Sequence, residues 1–98
     1  MAIEIEFSGS AEESLAGIAR WLEYRNSPGS GERFLDNFSR YLNRLKKSYP
    51  YYSPCPNRVL RSKGLYCAKY REWIVAFVLV PERLIVRAFI HKKQLPHN

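Results

Sequence analysis

Acidic residues are nearly absent from the second half of this 98-residue chain. Residues 50–98 contain only Glu72 and Glu82 against nine lysines and arginines, whereas residues 1–49 contain seven residues of each sign. The entire net charge of +7 therefore lies in the second half. Because this half also has the pattern of strands, we expect a folded surface with a positive field. Such a surface favours an anionic partner, either a nucleic acid, an acidic protein segment, or both.

Long apolar runs, cysteines and histidines are also scarce. The longest apolar run covers residues 73–80, which is too short to cross a membrane. The N-terminus lacks the features of a secretory signal, so we expect a cytoplasmic protein. Cys55 and Cys67 have no CxxC spacing, and we expect reduced thiols. His91 and His97 are the only histidines and have no partners at ligand spacing, so we predict no metal and no cofactor.

The hydrophobic pattern of the first half predicts a strand and two helices within one domain that spans residues 1–98. Residues 3–7 alternate apolar and acidic side chains, which is typical of a half-buried strand. A helix is predicted to begin at Ser10, with Glu13 completing a capping box. The apolar side chains of a second helix, which ends near residues 46–47, are Phe34, Leu35, Phe38, Tyr41, Leu42 and Leu45. Their spacing of three to four residues predicts that the two helices pack as an antiparallel hairpin.

The period changes to two in the second half. Strands are predicted over residues 65–71, 73–80 and 84–91, with a further short candidate over 58–62. Residues 73–80 are apolar on both faces, which predicts a central strand that is covered on both sides. The sequence thus predicts an α+β fold of order β-α-α-β-β-β. We expect the helical hairpin on one face of a mainly antiparallel, twisted sheet.

Alternation along these strands sorts the side chains onto two faces. The face away from the helices is predicted to bind the partner, through Arg61, Lys63, Lys69, Arg71, Arg87, Phe89, His91 and Lys92. Cations interleaved with aromatic rings suit RNA, because phosphates meet cations and bases stack on rings. The same surface suits an acidic amphipathic peptide equally well. Two roles stay open for His91: a general acid or base, or a structural group that ends the last strand.

Several segments resemble the RelE/ParE superfamily of bacterial toxins from type II toxin–antitoxin systems. They are residues 41–47, 58–61 and 66–71, together with the order of the predicted elements. Residues 84–94, a last strand that ends in a histidine followed by basic residues, most resemble the ParE and plasmid-stabilisation branch. The resemblance covers essentially the whole chain. It implies a toxin that inhibits bacterial growth and is neutralised by an acidic, partly disordered antitoxin.

The resemblance leaves two mechanisms open, and the oligomeric state as well. RelE-like members cleave mRNA on the ribosome without a metal, and the matching catalytic residues would be Lys69, Arg71, Arg87, His91 and Lys93. However, an expected arginine falls on Ile74 and an expected lysine on Cys67. ParE-like members inhibit DNA gyrase instead, and the resemblance favours this branch. A third interpretation is a non-toxic basic module that binds RNA or protein.

Overall fold

The computed structural model describes residues 3–95, in which two long helices cover one face of a four-stranded sheet. The elements are β1 (Glu4–Phe7), α1 (Gly9–Arg25), α2 (Ser30–Lys46), α3 (Arg58–Ser62), β2 (Tyr66–Tyr70), β3 (Trp73–Val80), β4 (Arg83–His91) and a short 3₁₀ turn (Lys92–Gln94). The strand order is β1-β4-β3-β2, with β1 parallel to β4 and the other pairs antiparallel. This confirms the α+β class, the helical hairpin and the three consecutive strands of the second half.

Helix α1 begins earlier than predicted. Ser8 is the N-cap, and its hydroxyl accepts a hydrogen bond from the backbone N–H of Ala11 at 3.2 Å. The backbone N–H of Ser8 also donates to the carbonyl of Val86 on β4, so the same residue ends the β1 pairing and starts the helix. The prediction of a cap at Ser10 is wrong because both serines carry a capping signal, and strand pairing selects the first.

The core lies between the helices and the sheet. The side chains of Val75, Phe77, Leu84 and Val86 are fully buried. From α2, the ring of Phe38 reaches them, and its centroid lies 5.2 Å from the rings of both Tyr70 on β2 and Phe89 on β4. Aromatic rings at this distance and tilt attract each other beyond the area that they bury. One side chain of α2 therefore holds two strands that do not pair with each other.

On the opposite face of the sheet, residues 53–57 and α3 lie against β2 and β3, where they line a hollow together with Cys67 and Ile74. Residues Arg58–Ser62 form this short helix, so the strand candidate predicted there is wrong. Asn57 is the reason, because its side chain accepts a hydrogen bond from the backbone N–H of Leu60 at 3.2 Å and caps the helix. Leu60 is buried beneath it, as is Ile74 of β3. The prediction that residues 73–80 form a strand covered on both sides is confirmed.

A disulfide joins Cys55 to Cys67, so the expectation of reduced thiols is wrong in this structure. The covering segment runs beside β2, where the backbone N–H of Cys67 donates to the carbonyl of Ser53 and that of Cys55 to Leu65. This pairing brings the two Cα atoms to 4.7 Å, within the range that a disulfide spans. A separation of 12 residues in the sequence gives no sign of that proximity.

Strand β4 contains a bulge at Arg87. Ala76 of β3 pairs with Ala88, but the next residue, Phe77, pairs with Val86, so Arg87 has no partner across the ladder. One extra residue reverses the faces of every side chain that follows it. Phe89 therefore packs with the core on the helix side, and the predicted alternation after residue 86 is wrong.

Within residues 3–95, the structure has neither a membrane-spanning helix nor a metal-binding group of side chains. No helix there is long and apolar enough to cross a bilayer. Nor does that range contain a group of three or more His, Cys, Asp or Glu side chains placed to hold a metal ion. His97, the second histidine of the sequence, lies outside the described residues.

The two long helices approach each other closely at Gly31. A Cβ atom there would overlap the carbonyl oxygen of Ala19, which is backbone and cannot move aside cheaply. We expect Gly31→Ala to lower the free energy of unfolding by about 1–3 kcal/mol, measured by urea denaturation. The control is Gly9→Ala, since a Cβ at Gly9 meets nothing within 4 Å. It should be neutral or stabilising by up to about 1 kcal/mol. Equal effects of the two variants would contradict this account of the hairpin.

Reduction of the disulfide should loosen the attachment of the segment that contains Cys55 to strand β2 and so destabilise the fold. Closing a loop of this size is worth about 3 kcal/mol in the chain-entropy account. We therefore expect dithiothreitol to lower the melting temperature of the wild-type protein. The double variant Cys55→Ser/Cys67→Ser should melt at the lower temperature with or without reductant. A wild-type melting temperature that reductant leaves unchanged would contradict the bond.

Candidate functional site

The structure separates the predicted binding residues instead of gathering them on one face. Lys69 and Arg71 lie at the end of β2 and in the turn that follows it. Phe89 and His91 lie at the end of β4, and Lys92 begins the 3₁₀ turn beyond it. The single basic surface expected on the side away from the helices is therefore not formed. The functional roles predicted for these residues stay predictions.

Strand β3 lies between the two groups. Its first residue, Trp73, pairs with Tyr70 of β2 on one side and with His91 of β4 on the other. Neighbouring strands are about 4.8 Å apart, so His91 lies two strand spacings from the end of β2. Lys69 and Arg71 border one cavity, whereas Phe89 and His91 border another.

Of the remaining predicted residues, Lys93 joins the group at the end of β4, and the others belong to neither group. Arg61 and Lys63 belong to the end of α3, where the Arg61 guanidinium donates to the carbonyl of Pro56 at 3.2 Å. Arg87 is the exposed bulge residue. Lys93 lies in the 3₁₀ turn next to the end of β4. Only Phe89, His91, Lys92 and Lys93 are thus brought together at that end of the sheet.

An apolar groove of about 700 Å³ runs between α1 and this end of the sheet. Its apolar walls are Ile18, Trp21, Leu22, Trp73 and Phe89. Trp21 is 56% exposed although it is the largest apolar side chain type. An exposed tryptophan beside an open apolar groove is typical of a surface that binds another protein segment.

Charged groups border the groove at the end of the sheet. The Lys92 ammonium lies 2.8 Å from a carboxylate oxygen of Glu72, and this hydrogen bond lowers the pKa of that carboxyl group. Both side chains are about half exposed, so the pair contributes little to stability. The His91 ring meets Trp73 edge-on at 5.2 Å, and its Nδ1 accepts the backbone N–H of Lys93. These local contacts hold the His91 ring at the end of β4.

A second cavity, which we call the cationic cleft, lies between α2 and the turn after β2. Its volume is about 550 Å³, and it is lined by Asn37, Arg40, Tyr41, Arg44, Lys69, Tyr70 and Arg71. Four of these seven side chains are cations, and none is a carboxylate. Two of the cations face rings, since the Arg71 guanidinium lies 5.5 Å from the Tyr70 centroid and that of Arg44 lies 6.0 Å from Tyr41. Cation–π contacts of this kind hold the arginines in place.

Tyr41 of the cationic cleft keeps its proton at neutral pH. Burial raises the pKa of Tyr41 to about 12, although the charge of Arg44 opposes the shift. The hydroxyl of Tyr70 is buried and has no hydrogen-bond partner within the part of the chain that the structure describes. A tyrosine hydroxyl can donate a hydrogen bond to an anion, and both tyrosines line the cleft.

Sequence reasoning missed Arg40 and Arg44 because the first half of the chain is neutral overall. A signal for them was present. Together with Arg33 they recur at intervals of seven and four residues, which places three arginines on one side of a helix. Counting charge by halves of the chain hides such a stripe.

The chain matches a described protein family over most of its length. The profile of the family described as "ParE toxin of type II toxin-antitoxin system, parDE" matches residues 5–96. No curated protein sequence matches the chain closely enough to count as a relative. Since the match covers nearly the whole sequence, the chain belongs to the ParE toxin family.

Proposed function

We propose that this member of the ParE toxin family inhibits bacterial growth by acting on DNA gyrase, does not cleave mRNA, and is silenced by an acidic antitoxin. Family membership makes it a toxin of a type II toxin–antitoxin system. The observation that carries the finer proposal is the separation of the candidate nuclease residues in space. We place the protein in the cytoplasm, where gyrase and mRNA are both found.

Metal-free cleavage of RNA needs several groups around one phosphate. A base must reach the ribose hydroxyl, and cations must lie at hydrogen-bond distance from the oxygens that gain charge. Lys69 and Arg71 border the cationic cleft, whereas His91 lies two strands away and uses Nδ1 locally. The position where an arginine was expected holds Ile74, whose side chain is buried. This arrangement supports a toxin that binds its target and cleaves no RNA.

The apolar groove supports the antitoxin part of the proposal. Its walls are mainly apolar, and Lys92 and Lys93 follow His91, which lines the groove where the sheet ends. An amphipathic helix could bury its apolar face in the groove and place its carboxylates against the lysines. Disordered acidic segments commonly bind in this way and fold as they bind. We therefore expect the antitoxin to cover Trp21.

Inhibition of gyrase and cleavage of mRNA can be measured separately. Purified toxin should prevent purified gyrase from supercoiling a relaxed plasmid. The same preparation should leave mRNA intact on translating ribosomes in a toeprinting assay, and its induction in cells should arrest growth. A cleavage ladder on the ribosome together with normal supercoiling would contradict the proposal and favour the nuclease mechanism.

Trp21 should be a centre of the antitoxin contact. A buried tryptophan at an interface is worth about 2 kcal/mol or more, so Trp21→Ala should weaken the complex roughly 30-fold. The matched control is Tyr24→Ala, because Tyr24 lies on the same helix, is 88% exposed and does not line the groove. The measurement is calorimetric titration with the cognate antitoxin, sought as the product of an adjacent acidic reading frame. Equal losses for the two variants would contradict the groove as the binding site.

A further inference from the structure

We propose that the cationic cleft binds the phosphodiester backbone of a nucleic acid. The inference goes beyond the action on gyrase, since it needs no second protein, and it concerns a different surface from the groove proposed for the antitoxin. Its basis is the unneutralised charge of Arg40, Arg44, Lys69 and Arg71. Within residues 3–95, Arg83 pairs with Glu6 and Lys92 with Glu72, and neither pair involves a cation of the cleft. Cations that converge in this way repel one another until an anion binds.

The positions of the arginines suit a linear polyanion. Arg33, Arg40 and Arg44 lie on one side of α2, and at 1.5 Å per residue they extend over about 16 Å. Arg33 and Arg71 also line a smaller hollow that adjoins the cationic cleft and shares Asn37 with it. Each strand of a DNA duplex carries a phosphate about every 3.4 Å along the helix axis. The row of cations is therefore long enough to meet several successive phosphates, which an isolated phosphate ion would not need.

The polar walls of the cleft favour a nucleic acid over an acidic protein segment. An amphipathic acidic helix needs apolar contact area, and the groove beside Trp21 provides it. The cationic cleft offers Asn37 and two tyrosines between its cations. Guanidinium groups match phosphate oxygens with paired hydrogen bonds, and amide and hydroxyl groups add neutral donors.

The Tyr70 hydroxyl is a second, independent observation. It is buried and has no hydrogen-bond partner among the described residues, and a buried polar group in that state is costly. Its ring lies beneath the Arg71 guanidinium and lines the cleft. A bound phosphate, or a water molecule that the phosphate orders, would give the hydroxyl a partner.

The test is nucleic-acid binding by the purified toxin alone, measured by fluorescence anisotropy. The probes are a labelled DNA duplex of about 20 base pairs, the corresponding single strand, and an RNA of the same sequence. Each is titrated at several salt concentrations between about 50 and 200 mM. Because the backbone is the proposed ligand, DNA and RNA should both bind, and affinity should fall steeply with salt.

Two double variants distinguish binding at the cationic cleft from a general effect of the net charge. Arg40→Gln/Arg44→Gln removes two exposed cations of the cleft, and Arg20→Gln/Arg83→Gln removes two exposed cations elsewhere. The first should weaken binding at least tenfold and lower the salt slope by about 2, since each lost phosphate contact lowers it by about 1. The second should change affinity less than threefold. Equal losses would overturn the proposal by showing that only net charge matters.

Tyr70→Phe tests the orphan hydroxyl. Its melting temperature should equal or exceed that of the wild type, because no hydrogen bond is lost, while its affinity for DNA should fall a few-fold. Unchanged affinity in this variant and in Arg40→Gln/Arg44→Gln would overturn the site. A poly-glutamate peptide that binds through Arg40 and Arg44 while DNA and RNA do not would overturn it in favour of an acidic protein. A toxin that inhibits gyrase and binds no nucleic acid would also overturn it, with the proposed function left intact.

Discussion

The contact of Phe38 with the sheet is the interaction on which both cavities depend. Its buried ring touches Tyr70 on one strand and Phe89 on another, with centroid distances of 5.2 Å to each. Loss of such a phenylalanine typically costs 3–5 kcal/mol. Tyr70 forms a wall of the cationic cleft and Phe89 a wall of the apolar groove. Through its contact with Tyr70, Phe38 holds α2, and with it Arg40 and Arg44, next to the cationic cleft. Through its contact with Phe89, it holds one wall of the apolar groove.

The two cavities differ in the kind of ligand that their walls suit. The apolar groove offers contact area and few charges, which suits a protein segment that folds as it binds. The cationic cleft offers charge and hydrogen-bond donors and a smaller apolar share than the groove, which suits a charge-dense ligand. A toxin with both surfaces could be held by its antitoxin at one place and meet a different anion at another.

Much of the fold was predictable because its pattern is local. The alternation of residues 3–7, the apolar stripe of α2 and the apolar run of 73–80 each reflect burial of one element. What the sequence could not show depends on pairing between distant residues. The bulge at Arg87 leaves no mark in the composition of β4, yet it moves Phe89 and His91 to the helix side.

The candidate site was predicted less well for the same reason. Lys69 and Arg71 were named from their strand, but their partners Arg40 and Arg44 belong to the half of the chain with no net charge. The net charge of a stretch of sequence does not show which charged side chains lie close together in the folded protein. The spacing of Arg33, Arg40 and Arg44 predicts that they share one side of α2, just as the spacing of the apolar residues predicts its buried side.

The separation of the two surfaces is the central claim, and amide NMR spectra of the toxin test it most directly. Titration with a short DNA duplex should shift the amide signals of residues 37–44 and 69–71. The signals of residues 17–21 and 89–91, at the apolar groove, should stay in place. Shifts that appear at residues 89–93 and spare α2 would contradict the account, because the nucleic acid would then occupy the groove.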